Sequence, residues 1–390
     1  MQSNTKIFQT VPRIVYGIGA VDQIGEEAKR LGVKKVAVVT DPGLVDAGID
    51  QPVMKSLKAA NLDPVLFQGV EPDPRIEIVT ECTDFVQDSK ADMIVGLGGG
   101  SAMDIAKATA VMCTNPGPIK AYTGVNLVPG PALPTILIPT TAGTGSEVTS
   151  ISVLSDTEAK VKIGVVSDYM FAKLAVLDPQ LTVKLPPQIT ASTGLDALIH
   201  AIESYVGKQA TVITEPLALS AIQLIAKHLR RAYANGSDLE ARDGMLTASL
   251  VAGLAFANTQ TGAAHACGMS LGGRFHVPHG IATSLMLPAV MKFNCIVAPE
   301  KFADIALAFG EVIQGLSPME AAGKAIDAVV RLIDDLGFQM GLENYGAKAS
   351  DIPALAAGAM PAARLWNNNP RGATQEQVEE IFRSAFSEEG

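Results

Sequence analysis

Between Val33 and Asp178 the sequence repeats one pattern: a short apolar run without polar interruption, turn residues, then a longer stretch with helical spacing. Residues 35–40 (Lys-Val-Ala-Val-Val-Thr), 93–97 (Met-Ile-Val-Gly-Leu), 135–139 (Thr-Ile-Leu-Ile-Pro) and 175–178 (Ala-Val-Leu-Asp) are the runs. A strand that does not alternate between apolar and polar must be covered on both faces, which is the condition of a parallel sheet packed between helices. Residues 51–61 and 75–89 supply helical stretches between runs, so the reading is β-α-β. Residues 151–154 and 162–166 flank a polar turn and read as a hairpin. After Pro186-Pro187 the apolar runs stop and helix-start signals take over: Ser237-x-x-Glu240, Ser317-Pro-x-Glu320 and Thr374-x-x-Gln377, the second with proline at the first helical position. The expected architecture is an α/β domain over residues 1–187 followed by an all-helical domain over residues 188–390, without internal repeats.

Composition narrows the partners. Charged residues are 18% of the chain against a typical ~25%, and hydrophobic residues are 48%, so disorder is excluded as the main state. The net charge is −10 and no stretch gathers Lys and Arg into a stripe, which argues against nucleic acid and against an anionic membrane. Cys82, Cys113, Cys267 and Cys295 are far apart and form no C-x-x-C pair, so neither a disulfide framework nor a zinc knuckle is expected. Residues 1–10 lack the apolar run of a signal peptide, and a reducing cytoplasm is the expected setting. The low charged fraction predicts buried subunit surface, hence a homo-oligomer and most simply a dimer.

Gly98-Gly99-Gly100-Ser101 follows one apolar run directly and opens the helical stretch 102–112. Consecutive glycines between strand and helix let the backbone approach a phosphate and aim amide hydrogens at it, with the positive end of the helix dipole behind. Neither the G-x-G-x-x-G fingerprint nor a Gly-Lys-Ser/Thr element is present. A second small-residue loop, Pro139-Thr140-Thr141-Ala-Gly143-Thr144-Gly145-Ser146-Glu147, also leaves the C-terminal end of a strand, where an α/β sheet places its ligand. Asp41 holds the matching place after residues 35–40. A carboxylate there suits the ribose hydroxyls of an adenosine, and equally suits a helix cap.

The five histidines are His200, His228, His265, His276 and His279. Asp196 and His200 stand four apart in a helical stretch and so share a face. With His265 and His279 they make a carboxylate-imidazole set suited to Fe²⁺, Zn²⁺, Mn²⁺ or Ni²⁺; ligand type does not choose among these metals. His228 lies at the basic end of an amphipathic helix and is expected to face solvent or to support the helix C-terminus.

Taken together, Gly98-Gly-Gly-Ser-x-x-Asp104-x-Ala-Lys107, the loop Pro139 to Glu147, Gly194-x-Asp196-Ala-Leu-x-His200-Ala-x-Glu203, and Pro278-His279-Gly280 resemble the iron-containing (group III) alcohol dehydrogenases of the dehydroquinate synthase-like fold. The resemblance spans about residues 10 to 300, and the helical tail beyond Phe302 adds little to it. It implies an N-terminal α/β dinucleotide domain, a C-terminal helical domain, and one divalent metal, Fe²⁺ favoured, in the cleft between them. By motif it implies Asp196, His200, His265 and His279 as metal ligands. It also implies Gly98, Gly99, Gly100 and Ser101 on the pyrophosphate of NAD, Thr140, Thr141 and Thr144 around the nicotinamide half, Asp41 on the adenosine ribose, and Val153 and Lys162 near the cofactor. Phe256 matches a place that lines the substrate pocket.

The sequence departs from the family pattern at the substrate end. Members commonly read His-x-x-x-His-x-Leu-Gly, whereas residues 265–272 here read His-Ala-Cys-Gly-Met-Ser-Leu-Gly, so Met269 replaces the second histidine; Arg274 and His276 are nearby additions. If Arg274 turns inward, its fork of donors suits a carboxylate, phosphonate or sulfonate. The function implied is metal-assisted hydride transfer between a small alcohol and NAD, with no separate catalytic base. The alternatives are a lyase of the dehydroquinate synthase kind, for which Arg274 is the only phosphate-binding cation near the ligand motifs, and a non-catalytic metal- or nucleotide-binding protein.

Overall fold

The computed structural model describes residues 5–159 and 161–387. The chain forms two compact units, one covering Gln9–Leu185 and the other the chain from Pro186 onward together with residues 5–8, which the sequence pattern assigns to the first domain. Among the described residues the first contains nine strands: β1 (Ile14–Tyr16), β2 (Lys35–Val39), β3 (Asp63–Phe67), β4 (Met93–Gly98), β5 (Gly124–Val125), β6 (Thr135–Pro139), β7 (Ile151–Asp156), β8 (Val161–Val166) and β9 (Leu174–Leu177). Its helices are α1 (Ile24–Arg30), α2 (Pro42–Asp46), α3 (Asp50–Ala59), α4 (Ile76–Ser89) and α5 (Gly100–Met112).

Six of the strands form one all-parallel sheet in the order β1-β9-β6-β4-β2-β3. Val36, Val38, Met93, Val95, Leu97, Ile136 and Ile138 pack with Ile24 and Ala28 of α1 and Val53 and Leu57 of α3 in one buried cluster. The intervening Ala37, Val39, Ile94 and Leu137 point the other way and are equally buried. Helix α5 covers that second face so closely that a Cβ on Gly96 would lie 2.8 Å from the Cβ of Ala106. Burial on both faces is the physical reason the runs carry no polar alternation. The remaining strands make a small sheet, β5-β8-β7, in which β7 and β8 form the expected antiparallel hairpin.

The register of β4 against β6 places Gly98 opposite Pro139. Both loops singled out in the sequence therefore leave the sheet at one level, side by side.

The second unit holds ten α-helices among the described residues and no strand: α6 (Pro187–Val206), α7 (Thr214–Ala234), α8 (Leu239–Thr259), α9 (Ala263–Phe275), α10 (His279–Asn294), α11 (Pro299–Ala308), α12 (Pro318–Asp335), α13 (Ile352–Ala359), α14 (Ala363–Asn368) and α15 (Gln375–Arg383). Gly194 of α6 accepts Leu229 of α7 and Met245 of α8 so tightly that a Cβ there would stand 2.3 Å from Leu229 Cδ1. His228 differs from expectation. It is 4% exposed and packs over Gly244 of α8, where its ring would strike any Cβ at 2.4 Å, so it is a core residue that α8 accommodates with a glycine.

Ser317 and Thr374 both complete capping boxes at the starts of α12 and α15. The third expected cap shifts by one residue: Asp238, not Ser237, accepts from the Ala241 amide at 3.0 Å and caps α8, while Ser237 bonds Asn235. A carboxylate at a helix start gains from the dipole as well as from the hydrogen bond, and a serine hydroxyl gains less. Helix α10, with the turn after it, is long and apolar enough in composition to cross a membrane, but 67% of that window is buried within the fold.

Candidate active site

Three elements of the helical unit bring the metal-type side chains together. Helix α6 presents Asp196 and His200 one turn apart, α9 presents His265 in its first turn, and α10 begins at His279, just after the N-capping Pro278. Ligand atoms of Asp196, His265 and His279 lie within 4.8 Å of one another. Asp196 Oδ1 is 3.7 Å from Nε2 of His265 and 3.7 Å from Nε2 of His279. These separations exceed hydrogen-bonding range. Asp196 Oδ1 and His265 Nε2 are nonetheless buried and have no hydrogen-bond partner. Buried polar atoms without partners are costly, and a cation between them would satisfy both.

His200 lies beside this group without joining its tightest set. Its Nδ1 is 3.9 Å from Asp196 Oδ2, and its ring stacks between Phe256 (4.2 Å between centroids) and His265 (4.8 Å). Phe256 thus touches a histidine of the cluster.

The electrostatics are those of a small buried ion network. Burial opposes charge on Asp196, but His200, His265 and His279 outweigh it and hold the carboxyl well below its usual range. Burial pushes His200 down to about 4, with His265 and His279 acting in the same sense. At His265 burial is overcome by Glu203 and Asp196, which hold the imidazole up at about 10.

Glu203, part of the Gly194–Glu203 motif, has a role that its residue type and spacing do not reveal. It is 4% exposed and sits 2.6 Å from His265 Nδ1, while accepting from the amides of Gly262 (2.7 Å) and Ala264 (2.6 Å). The carboxylate holds a proton on Nδ1, so a cation in the site would displace the second imidazole proton and take Nε2 as its ligand.

The substrate-end residues are arranged differently from one another. Met269 is half-exposed on α9, one turn beyond His265. Arg274 donates to Asp351 at 3.4 Å with its side chain half-exposed, and His276 is exposed in a left-handed conformation at the C-cap of α9. The anion-binding fork therefore already faces a carboxylate of its own chain.

In the α/β unit, the glycine loop and the threonine loop touch. Gly98 has φ +150°, a conformation side chains rarely adopt, and a Cβ there would lie 2.7 Å from Ala102 Cβ and 3.7 Å from Asp41 Oδ2. A Cβ on Gly100 would lie 2.9 Å from Thr144 Cγ2, and one on Gly99 would be 3.4 Å from Thr141. The backbone of Gly98 accepts from the Thr140 amide at 3.0 Å, and Thr140 itself is buried. Thr141 Oγ1 is buried with no partner. Gly99 caps α5 without a side chain, and Ser101 lies in the first turn behind it. Asp41 does cap a helix, accepting from Leu44 at 3.0 Å through Oδ1, while Oδ2 faces Gly98. Val153 donates its amide to Asp104, and Lys162 pairs with Asp73 at 2.5 Å on the surface.

One buried charge, Lys107, ties the loops together, and a second buried ionisable group lies beside it. Lys107 of α5 has no exposed surface and donates to Ser146 Oγ (2.6 Å), Ser146 O (3.1 Å), Thr149 Oγ1 (3.3 Å) and Ile151 O, beside Asp104 at 3.1 Å. It ties the helix behind the glycine loop to the far end of the threonine loop. Glu147 is 1% exposed, neither of its oxygens has a partner, and burial pushes its carboxyl up to about 7 against the pull of Lys107.

Two family models cover nearly the whole chain: iron-containing alcohol dehydrogenase over residues 12–179, and the C-terminal part of the Fe-containing alcohol dehydrogenase family over residues 190–386. The chain belongs to the iron-containing alcohol dehydrogenase family. The match continues to residue 386, so the tail beyond Phe302 is part of it as well. Among relatives, the sulfoacetaldehyde reductase of Bilophila wadsworthia is 46% identical over 97% of this chain and 99% of its own. A crystal structure of 1,3-propanediol oxidoreductase superposes with a TM-score of 0.96 at 40% identity, covering 98% of this chain and 100% of that one. A sulfoacetaldehyde reductase from Bifidobacterium kashiwanohense, solved with NAD⁺, gives 0.90 at 31% identity over 99% and 100%. The chain is accordingly an oxidoreductase acting on CH–OH groups and their carbonyl counterparts.

Proposed function

We propose that the protein interconverts a small alcohol and its aldehyde by hydride exchange with NAD, assisted by one divalent cation. The observation that carries this reading is the convergence of Asp196, His265 and His279, with Asp196 Oδ1 and His265 Nε2 buried and unpartnered. His200 completes the proposed ligand set from the adjacent turn of α6. When bound, such a cation supplies Lewis-acid polarisation of an alcohol or carbonyl oxygen, Fe²⁺ being the favoured ion and Zn²⁺, Mn²⁺ and Ni²⁺ alternatives. The protein's own work is positional. Glu203 keeps the proton on His265 Nδ1, and Phe256 stacks against His200 and restrains its ring.

In the α/β unit the proposed NAD-binding residues are Asp41, Gly98, Gly99, Gly100, Ser101, Thr140, Thr141 and Thr144. The glycine loop, which a Cβ at Gly98 or Gly100 would fill, together with the unpartnered Thr141 hydroxyl, supports that assignment. Val153 and Lys162 remain further positions of the proposal, Lys162 by way of an ion pair that it would exchange for a cofactor contact. Met269 and Phe256 are proposed for the substrate side. We further propose a cytoplasmic homo-oligomer, supported by the low charged fraction and the free cysteines.

The deciding experiment screens alcohols and aldehydes with NAD(H) on protein whose metal content has been measured, with His265→Ala beside the wild type. Turnover that follows metal content and vanishes in His265→Ala is expected. Full metal content and rate in that variant would remove His265 from the site.

A further inference from the structure

We propose that Asn369, far along the C-terminal helical tail, is a positioning residue for the candidate metal centre: it fixes the loop that delivers His265. The inference rests on the reading of Asp196, His265 and His279 as a cation site.

Helix α9 starts at Ala263 with glycine at its N-cap, so no side chain of its own caps the first turn. The caps come from elsewhere. Glu203 takes the amides of Gly262 and Ala264, and Asn369 Oδ1 accepts from the amide of Ala263 between them at 3.3 Å. Asn369 is 1% exposed and locked in place. Its side chain exchanges two hydrogen bonds with Asn294 of α10, at 2.9 and 2.8 Å, and donates to Arg371 O at 2.6 Å. Its neighbour Asn368 donates to the carbonyls of Gln260 (3.0 Å) and Thr261 (3.1 Å).

Five successive residues, 260–264, thus hand backbone groups to three side chains 59 to 108 positions away in sequence. Gln260 needs such support, because its φ of +72° is unfavourable for a residue with a side chain. His265 follows within the same turn, so any slip of the loop displaces Nε2 from Asp196. Ligand sets tolerate only about 0.5 Å of such error.

Glycine at 262 offers an independent handle. A Cβ there would stand 3.1 Å from Glu203 Oε1 and 3.3 Å from Asn369 Oδ1, pressing on both caps, while its φ of −139° is open to alanine.

The test titrates Zn²⁺ into full-length protein stripped with a chelator, in competition with a chromophoric chelator. Four proteins are compared: wild type, Asn369→Ala, Gly262→Ala and Trp366→Phe. The last loses the indole bond to Ala359 O in the same tail, a bond in which none of residues 260–264 takes part. Asn369→Ala and Gly262→Ala should bind Zn²⁺ roughly 10–100-fold more weakly, the scale of outer-shell effects. Trp366→Phe should bind like the wild type even if it melts lower. Wild-type affinity in Asn369→Ala overturns the proposal, as does an equal loss in Trp366→Phe, which would make the effect one of stability. Should Asn369→Ala fail to fold, Gly262→Ala decides: unchanged affinity overturns the proposal and weakened affinity supports it. A wild type that takes up no Zn²⁺ fails earlier, at the cation site itself, and removes both readings.

Discussion

Glu147 ends the threonine loop as a buried carboxyl without partners, and its position has a thermodynamic signature. Its pKa rises from an ordinary 4.5 to about 7 in the folded protein. Between those values the folded state keeps the proton and the unfolded state loses it, so stability falls as pH rises through the window and levels off above about 7. The full loss is about 3 kcal/mol. Glu147→Gln should abolish this slope, so that its denaturation free energy gains on the wild type from pH 4.5 to 8; parallel curves would show that Glu147 does not titrate there. Asp41 allows a second test. Asp41→Asn preserves the helix cap, since asparagine caps as well as aspartate, but removes the charge that would repel a 2′-phosphate. The ratio of efficiencies with NADP and NAD should rise in that variant; equal efficiency with both coenzymes in the wild type would sink the ribose assignment. Arg274, already engaged by Asp351, should matter little to substrate charge. The preference for anionic over uncharged aldehydes of similar length is expected to be unchanged in Arg274→Ala, and a fall in that ratio would place its guanidinium at the substrate.

Helix starts show where sequence patterns decide structure and where they do not. Asp238→Ala should cost about 1 kcal/mol or more in a urea titration, while Ser237→Ala should cost almost nothing, because only Asp238 bonds the first turn of α8. The opposite ranking would restore the serine cap that the Ser-x-x-Glu spacing suggests. Strands β2, β4, β6 and β9 were legible because burial on both faces leaves an unbroken apolar signature. Edge strands β1 and β3 were not: β1 is three residues long, ends in an exposed Tyr16, and takes its place only through pairing with β9. Likewise Asp196, His200 and His265 stand out by residue type, whereas Asn368 and Asn369 look like an ordinary polar turn. Their partners lie about a hundred residues back, and nothing local marks them.

At the level of the whole chain, the proposed dinucleotide residues and the proposed metal ligands belong to separate compact units. Stripping the metal should therefore abolish turnover while leaving NADH binding, followed by cofactor fluorescence, within a few-fold of the untreated protein. Loss of NADH binding on chelation would tie the two functions to one structural element. The same division explains what was readable at long range: the change of pattern at Pro186-Pro187 records a change from a sheet covered on both sides to helices covered by helices.

The pairing of β1 with β9 also orders events during synthesis. The ribosome makes residues 14–16 well before their parallel neighbour among the described residues, 174–177, which emerges more than a hundred residues later. Contacts so distant in sequence are slow to close. Until then β1 has no place in the sheet, and the edge of β9 that it will cover does not yet exist. Strand β1 is thus made long before it is set, and a chain stalled before Leu174 would present an unfinished sheet to the chaperones of the cell.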